Sequence, residues 1–189
     1  MRLPLFPLAL FMLPGGRSKL RIFEPRYLRL VALASENQQG FVLCQPTHNN
    51  TDNDIGVLCL IEDFEQLKDG MLGISIQAIE RVSITDISQA DDNLLSGLIL
   101  KIPEWEDSSE AINNQQMTSK LKEVLERHPI YKQHPDYLDY EDPRWVVLRW
   151  LELLPFSTTA KNQILKENSF PTLSNLVLHL LPEIDIDED

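Results

Sequence analysis

Apolar positions change period once along this chain, and the change divides it. Up to about residue 105 they form short runs or alternate with polar residues, as in strands; beyond it they recur every three or four residues, as on helix faces. Residues 3–11 read as a first strand, which Pro4 and Pro7 restrict to a sheet edge or a bulge. Pro14-Gly15-Gly16 is a turn, and residues 19–23 make a short second strand. Tyr27, Leu30, Val31 and Ala34 then mark a helix to about Ser35, with Gly40 available for positive φ behind it. Strands follow at 40–45 and 55–64, separated by a polar loop over 46–54. After the turn Lys68-Asp69-Gly70, Leu72, Ile74, Ile76 and Ala78 alternate with Gly73, Ser75 and Gln77; Ile79, Val82, Ile84 and Ile87 continue the series, and 94–102 closes it. Six or seven strands, one early helix and few crossover units predict an α+β chain. A closed or nearly closed antiparallel barrel occupies residues 1–105 and a helical subdomain 106–189.

In the second part, Met117, Leu121, Val124, Leu125 and His128 form one helical face, and Val147, Trp150, Leu151 and Leu154 a second. Residues 128–137 read as a linker. Ser157 or Thr158 caps a third helix over about 159–167. Pro171 opens a fourth, marked by Leu173, Leu176, Val177, Leu180 and Leu181, which Pro182 helps to stop. The acidic end, residues 183–189, is expected to be a solvated tail. These stripes predict a small bundle packed on the barrel, with Trp105 at the junction.

The two periods meet their sharpest local signal at Phe23-Glu24-Pro25-Arg26-Tyr27. Pro25 suits the first helical position and pushes Glu24 toward extended geometry, so the strand–helix break falls at Glu24. Phe23 and Leu28 have the spacing of a hydrophobic staple, and the Glu24 charge suits the positive end of the helix. A structural corner is the favoured reading over a Glu24/Arg26 pair that touches a ligand, because charge pairs beside helix starts are common without function.

Composition narrows the classes. The 189 residues are 43% hydrophobic and 24% charged, as in a soluble globular protein, and need no disulfide or metal to build a core. A net charge of −12 opposes binding to a phosphate backbone unless a local basic patch exists, and Arg17, Lys19, Arg21, Arg26 and Arg29 are diluted among apolar residues. Cys44 and Cys59 lie in apolar runs and read as two reduced core thiols. The run of residues 3–13 carries two prolines and no small-residue cleavage site, and is too short to cross a bilayer, so the expectation is a soluble cytoplasmic protein without membrane association.

Taken together, Leu3-Pro4-Leu5-Phe6-Pro7-Leu8, Leu13-Pro14-Gly15 and Ile22-Phe23-Glu24-Pro25-Arg26-Tyr27 resemble the N-terminal substrate-binding domain of Lon proteases. Ile55-Gly56-Val57-Leu58 looks like that family's IGTL strand, and Asp69-Gly70 with Ile79-Glu80-Arg81-Val82-Ser83-Ile84 looks like its DG…G-x-x-R-F-x-I segment; Ala78 and Val82 replace the usual Gly and Phe. The resemblance covers about the first 105 residues well and the rest loosely. It implies a PUA-like pseudo-barrel and a polypeptide-binding role. The motif residues it singles out are Phe23, Glu24, Pro25, Arg26, Tyr27 and Arg81.

Catalytic signals are missing from these residues. There is no G-x-x-x-x-G-K-[ST] loop, no P-x-D-G-P-S-A-G setting for the Lon nucleophile, no G-x-S-x-G elbow and no H-E-x-x-H. Cys44, His48 and Cys59 match no zinc spacing, and Asp136, Asp139, Glu141 and Asp142 lack the pattern of a calcium loop. The sequence therefore predicts a stand-alone, non-enzymatic interaction module with no cofactor and no metal. Its partners would be unfolded or apolar polypeptide segments, or one specific protein. An RNA-binding role by analogy with PUA-like folds is the alternative, and the charge opposes it.

Overall fold

The computed structural model describes residues 1–36, 38–46, 54–105 and 115–181. The central part of the polar loop with His48, the stretch 106–114, Pro182 and the acidic tail lie outside them. Among the described residues, six strands and six helices run in the order β1 (Arg2–Pro7), β2 (Arg17–Ile22), α1 (Pro25–Glu36), β3 (Phe41–Cys44), β4 (Ile55–Gln66), β5 (Leu72–Gln89), β6 (Leu95–Lys101), α2 (Gln115–Arg127), α3 (Pro129–Gln133), α4 (Pro143–Leu153), α5 (Thr158–Lys166) and α6 (Phe170–Leu180). A 3₁₀ turn, Pro135–Tyr137, follows α3, so the segment read as a linker is mostly helical.

The strands pair in the order β2-β5-β4-β3-β1-β6, and a further β5–β6 ladder returns the sheet on itself. Five strands thus form a hydrogen-bonded ring, and β2 lies outside it. The 18-residue β5 makes this possible. Along one edge its first half takes β2, with Leu20 opposite Ile74, and its second half takes β6, with Ile84 opposite Ile99. Its other edge carries β4 from Leu72 to Ser83, with register shifts at Leu58/Cys59 and Ile61/Asp63 that bend the long hairpin.

One pairing departs from the antiparallel expectation: β1 and β3 run parallel, Phe6 opposite Leu43. The chain between them carries β2 and α1, and a helical crossover is what parallel neighbours require. The same crossover explains why β3 is buried at every position. Val42 and Cys44 point into the barrel with Leu3, Leu5 and Val82. Phe41, in ring contact with Phe6, is also buried, and Phe6 in turn stacks on Tyr27 of α1 at 4.1 Å between ring centroids. Gly40 enters β3 with φ +74°, and a side chain there would drive into the Cys59 carbonyl.

The chain divides into two compact units, residues 1–104 with 157–166 and residues 105–156 with 167–189. The sequence reading places the whole of 106–189 in the helical subdomain, whereas α5 groups with the barrel. Arg81 explains the grouping. It is almost fully buried on β5 and donates to the carbonyls of Leu165 in α5 and Pro103 after β6, each at 2.8 Å. Lys166 adds an ion pair to Asp54 at 2.5 Å, and Lys161 lies over the Phe11 ring.

In the second unit α4 is buried on nearly every side, from Trp145 to Leu151, as a central helix is. Asp142 caps it, accepting from the Arg144 amide at 2.9 Å. One residue of the acidic loop is therefore a helix cap. Trp150 Nε1 donates to the Met117 carbonyl of α2, and Trp105 Nε1 to that of Glu167. Trp105 and Trp150 thus bury their rings and satisfy their single donors.

Candidate functional site

The corner forms where the sequence places it. Pro25 opens α1, and the Tyr27 and Leu28 amides donate to the Glu24 carbonyl at 2.9 and 3.1 Å. Glu24 and Arg26 pair with each other at 2.7 Å, and the Arg26 guanidinium lies 4.7 Å from the centroid of the Tyr27 ring. Burial, helped by the Glu24 charge, raises the Tyr27 pKa despite the neighbouring cation, so its phenol stays neutral.

The expected staple fails. Phe23 is 63% exposed and Leu28 45% exposed, so neither carries core packing. The physical reason is the direction of α1. Its apolar stripe of Tyr27, Leu30, Val31 and Ala34 turns into the core, and Leu28 falls outside that stripe. Tyr27, buried and stacked on Phe6, is what anchors the corner. Arg81 is not part of the corner; it belongs to the α5 attachment.

Two exposed aromatics mark this end of the unit. Phe64 of β4 is 50% exposed, although it lies in one cross-strand row with buried Ile74 and Leu20. The next row on the same face is Gln66, Leu72 and Ile22, and Phe23 leaves β2 immediately after it. Phe64 was legible only as an aromatic stranded between Asp63 and Glu65 at the end of an apolar run. Arg17, Lys19 and Arg21 alternate with Leu20 and Ile22 on β2, so they face the other side, where they pair with acids: Arg17 with Glu62 at 3.1 Å, Lys19 with Glu65 at 3.8 Å and Arg21 with Asp69 at 2.6 Å. Gly73, opposite both Arg21 and Glu65, leaves room for the Glu65 stem, which a β-carbon there would meet at 2.6 Å.

Beside the first turn of α1 lies a cavity of about 180 Å³. Leu5, Pro7, Tyr27, Pro46 and Leu95 give it apolar walls, and Arg26 and Asn93 supply its polar groups. Met1, Leu98 and Leu100 form another exposed apolar set, on and beside β6, where Leu98 and Leu100 alternate with buried Ile99.

Among the described residues no three His, Cys, Asp or Glu side chains gather to hold a metal. Cys44 and Cys59 are both buried, and burial pushes the Cys44 thiol up to about 12, far from a reactive thiolate. His134 stacks on Tyr137, and His179 contacts the Asn175 carbonyl on its own helix. No described helix is long and apolar enough to cross a membrane.

The whole chain, not only its barrel, has relatives of known structure. A Lon N-terminal domain protein from Xanthomonas campestris superposes with a TM-score of 0.68 at 27% identity, over 97% of this chain and 98% of that one. The N-terminal domain of the Mycobacterium avium complex Lon protease shares the fold, with a TM-score of 0.71 at 16% identity over 97% and 99% of the two chains. Among curated proteins none matches the chain. The family model of the ATP-dependent protease La (LON) substrate-binding domain matches residues 2–183, and the chain belongs to that family.

Proposed function

We propose that this chain is a non-enzymatic polypeptide-binding module that takes apolar, unfolded segments at the corner between β2 and α1. One observation carries the reading: in a family described as substrate-binding, Phe23 and Phe64 stand 63% and 50% exposed at one end of the β2–β5–β4 strands. Exposed aromatics suit partners that bury apolar side chains and slide without fixed sequence. Their energetic contribution is modest, so the affinity expected is micromolar to sub-millimolar, roughly −5 to −8 kcal/mol. Weak contacts suffice where another component holds the substrate nearby. The net charge of −12 adds a preference for segments flanked by Lys or Arg. The residues needed for catalysis of its own are not found in the sequence, and the module acts by presenting segments to a partner.

Fluorescence anisotropy with labelled unfolded peptides at low and high salt tests this. The reading expects an apolar contribution that persists at high salt and a basic-flank preference that fades. Absence of binding to every apolar peptide by folded protein at high concentration would remove it, leaving docking to one specific folded protein as the function to test.

A further inference from the structure

Resting on the polypeptide reading, we propose that the cavity beside the first turn of α1 is a subsite for one apolar side chain of the bound segment, whose adjoining main-chain carbonyl accepts a hydrogen bond from Arg26 Nε. The cavity, about 180 Å³, exceeds the roughly 150 Å³ in which an apolar protein cavity holds a benzene molecule. One aliphatic or aromatic side chain therefore fits it. Pro7, Pro46 and Leu95 give it walls that make no demands on hydrogen bonding, and its ring and backbone elements are fixed by the β1–β3 ladder and by Tyr27 stacked on Phe6.

The polar signal is specific. Arg26 Nε is buried and has no hydrogen-bond partner. A guanidinium keeps its protons, and a buried donor left unpaired is costly. The rest of the group is already engaged, with Nη2 on Glu24 at 2.7 Å and the carbon over the Tyr27 ring. That engagement also decides the ligand. Glu24 neutralises the guanidinium, so a second carboxylate would meet a compensated charge, whereas a neutral amide carbonyl meets a donor that has no partner. The occupant is an internal residue of a polypeptide and not its carboxyl terminus.

The test uses the full chain labelled with ¹⁵N and follows the Arg26 Nε–Hε resonance during titration with N-acetyl-leucine amide, N-acetyl-glycine amide and N-acetyl-leucine. The leucine amide is expected to shift that resonance saturably at millimolar concentration, with the glycine amide at least about tenfold weaker. The leucine carboxylate is expected to bind more weakly than the leucine amide. Arg26→Lys, which keeps the charge and removes Nε, should lose the preference for the leucine amide over the carboxylate. Equal binding of the glycine and leucine amides, tighter binding of the carboxylate, or no shift with any probe would overturn the subsite; these outcomes need no variant and do not depend on one folding. Peptide anisotropy read alongside separates the two claims. If long apolar peptides bind and the amides do not, the subsite alone is overturned. If the amides bind and no peptide does, the polypeptide form of both proposals is overturned.

Discussion

Arg81 and Leu165 are 84 positions apart in sequence, yet the buried guanidinium of one donates to the carbonyl of the other at 2.8 Å. The same side chain holds Pro103 at 2.8 Å, and the Ile102 amide returns a bond to the Arg81 carbonyl. One arginine thus fixes the end of β6 and the position of α5 on the barrel.

Arg81→Ala is expected to leave two carbonyls without their donor and to destabilise the protein by about 2–5 kcal/mol. Arg81→Lys should recover only part of this, because a single ammonium lacks the planar fork that reaches both acceptors. Chemical denaturation of the three proteins measures it. An unchanged midpoint for Arg81→Ala would show that α5 is held by something else.

The corner should fail through Tyr27 and not through Phe23. Tyr27→Ala removes the stack on Phe6 and empties buried space, an expected loss of about 3–5 kcal/mol. Phe23→Ala, at a side chain 63% exposed, should stay within about 0.5 kcal/mol of the parent. Thermal melts of both variants decide it, and the reverse order of effects would restore Phe23 as a core anchor.

Stability should fall at both ends of the pH range for different reasons. Burial lowers the His128 pKa below its ordinary value, so the unfolded chain binds the proton more readily. Stability is then complete above the unfolded value of about 6.5 and declines as pH falls below it. Burial raises the Cys44 thiol to about 12, so the unfolded chain loses that proton first, and stability declines as pH rises above about 8.5. His128→Gln should flatten the acid side and Cys44→Ser or Cys44→Ala the alkaline side of a denaturation-midpoint profile. Unaltered slopes in the variants would contradict the assignments.

RNA should bind weakly and without sequence preference. The cations nearest to a basic patch are already engaged: Arg17, Lys19 and Arg21 with acids of the β4–β5 hairpin, Arg26 with Glu24 and Arg29 with Asp92. A phosphate backbone would have to displace each carboxylate against a net charge of −12. A mobility shift at physiological salt is expected to show nothing at sub-micromolar protein, and a shift there would contradict this.

Much of the fold was legible because strand period, prolines and glycines act locally. Ile55 begins a strand, Gly40 takes positive φ and Pro25 opens a helix where the residues predict. What was not legible depends on partners far along the chain. The parallel Phe6–Leu43 pairing follows from where α1 lies, and the attachment of α5 follows from Arg81, whose role a short motif marks without explaining. The site was half legible. Arg26 and Tyr27 stand out in sequence, but the spacing of Phe23 and Leu28 predicts a staple, and only the direction of the α1 stripe shows both to be exposed.

The central claim is that the exposed aromatics at this corner bind polypeptide and do not hold the fold. The measurement is one pair of curves on the double variant Phe23→Ala, Phe64→Ala: a thermal melt and an anisotropy titration with an apolar, Lys-flanked unfolded peptide. The account predicts a melting temperature within a few degrees of the parent. It also predicts an affinity reduced by about tenfold or more at both low and high salt. An unchanged affinity in a normally folded variant, or a collapsed melting temperature, would contradict it.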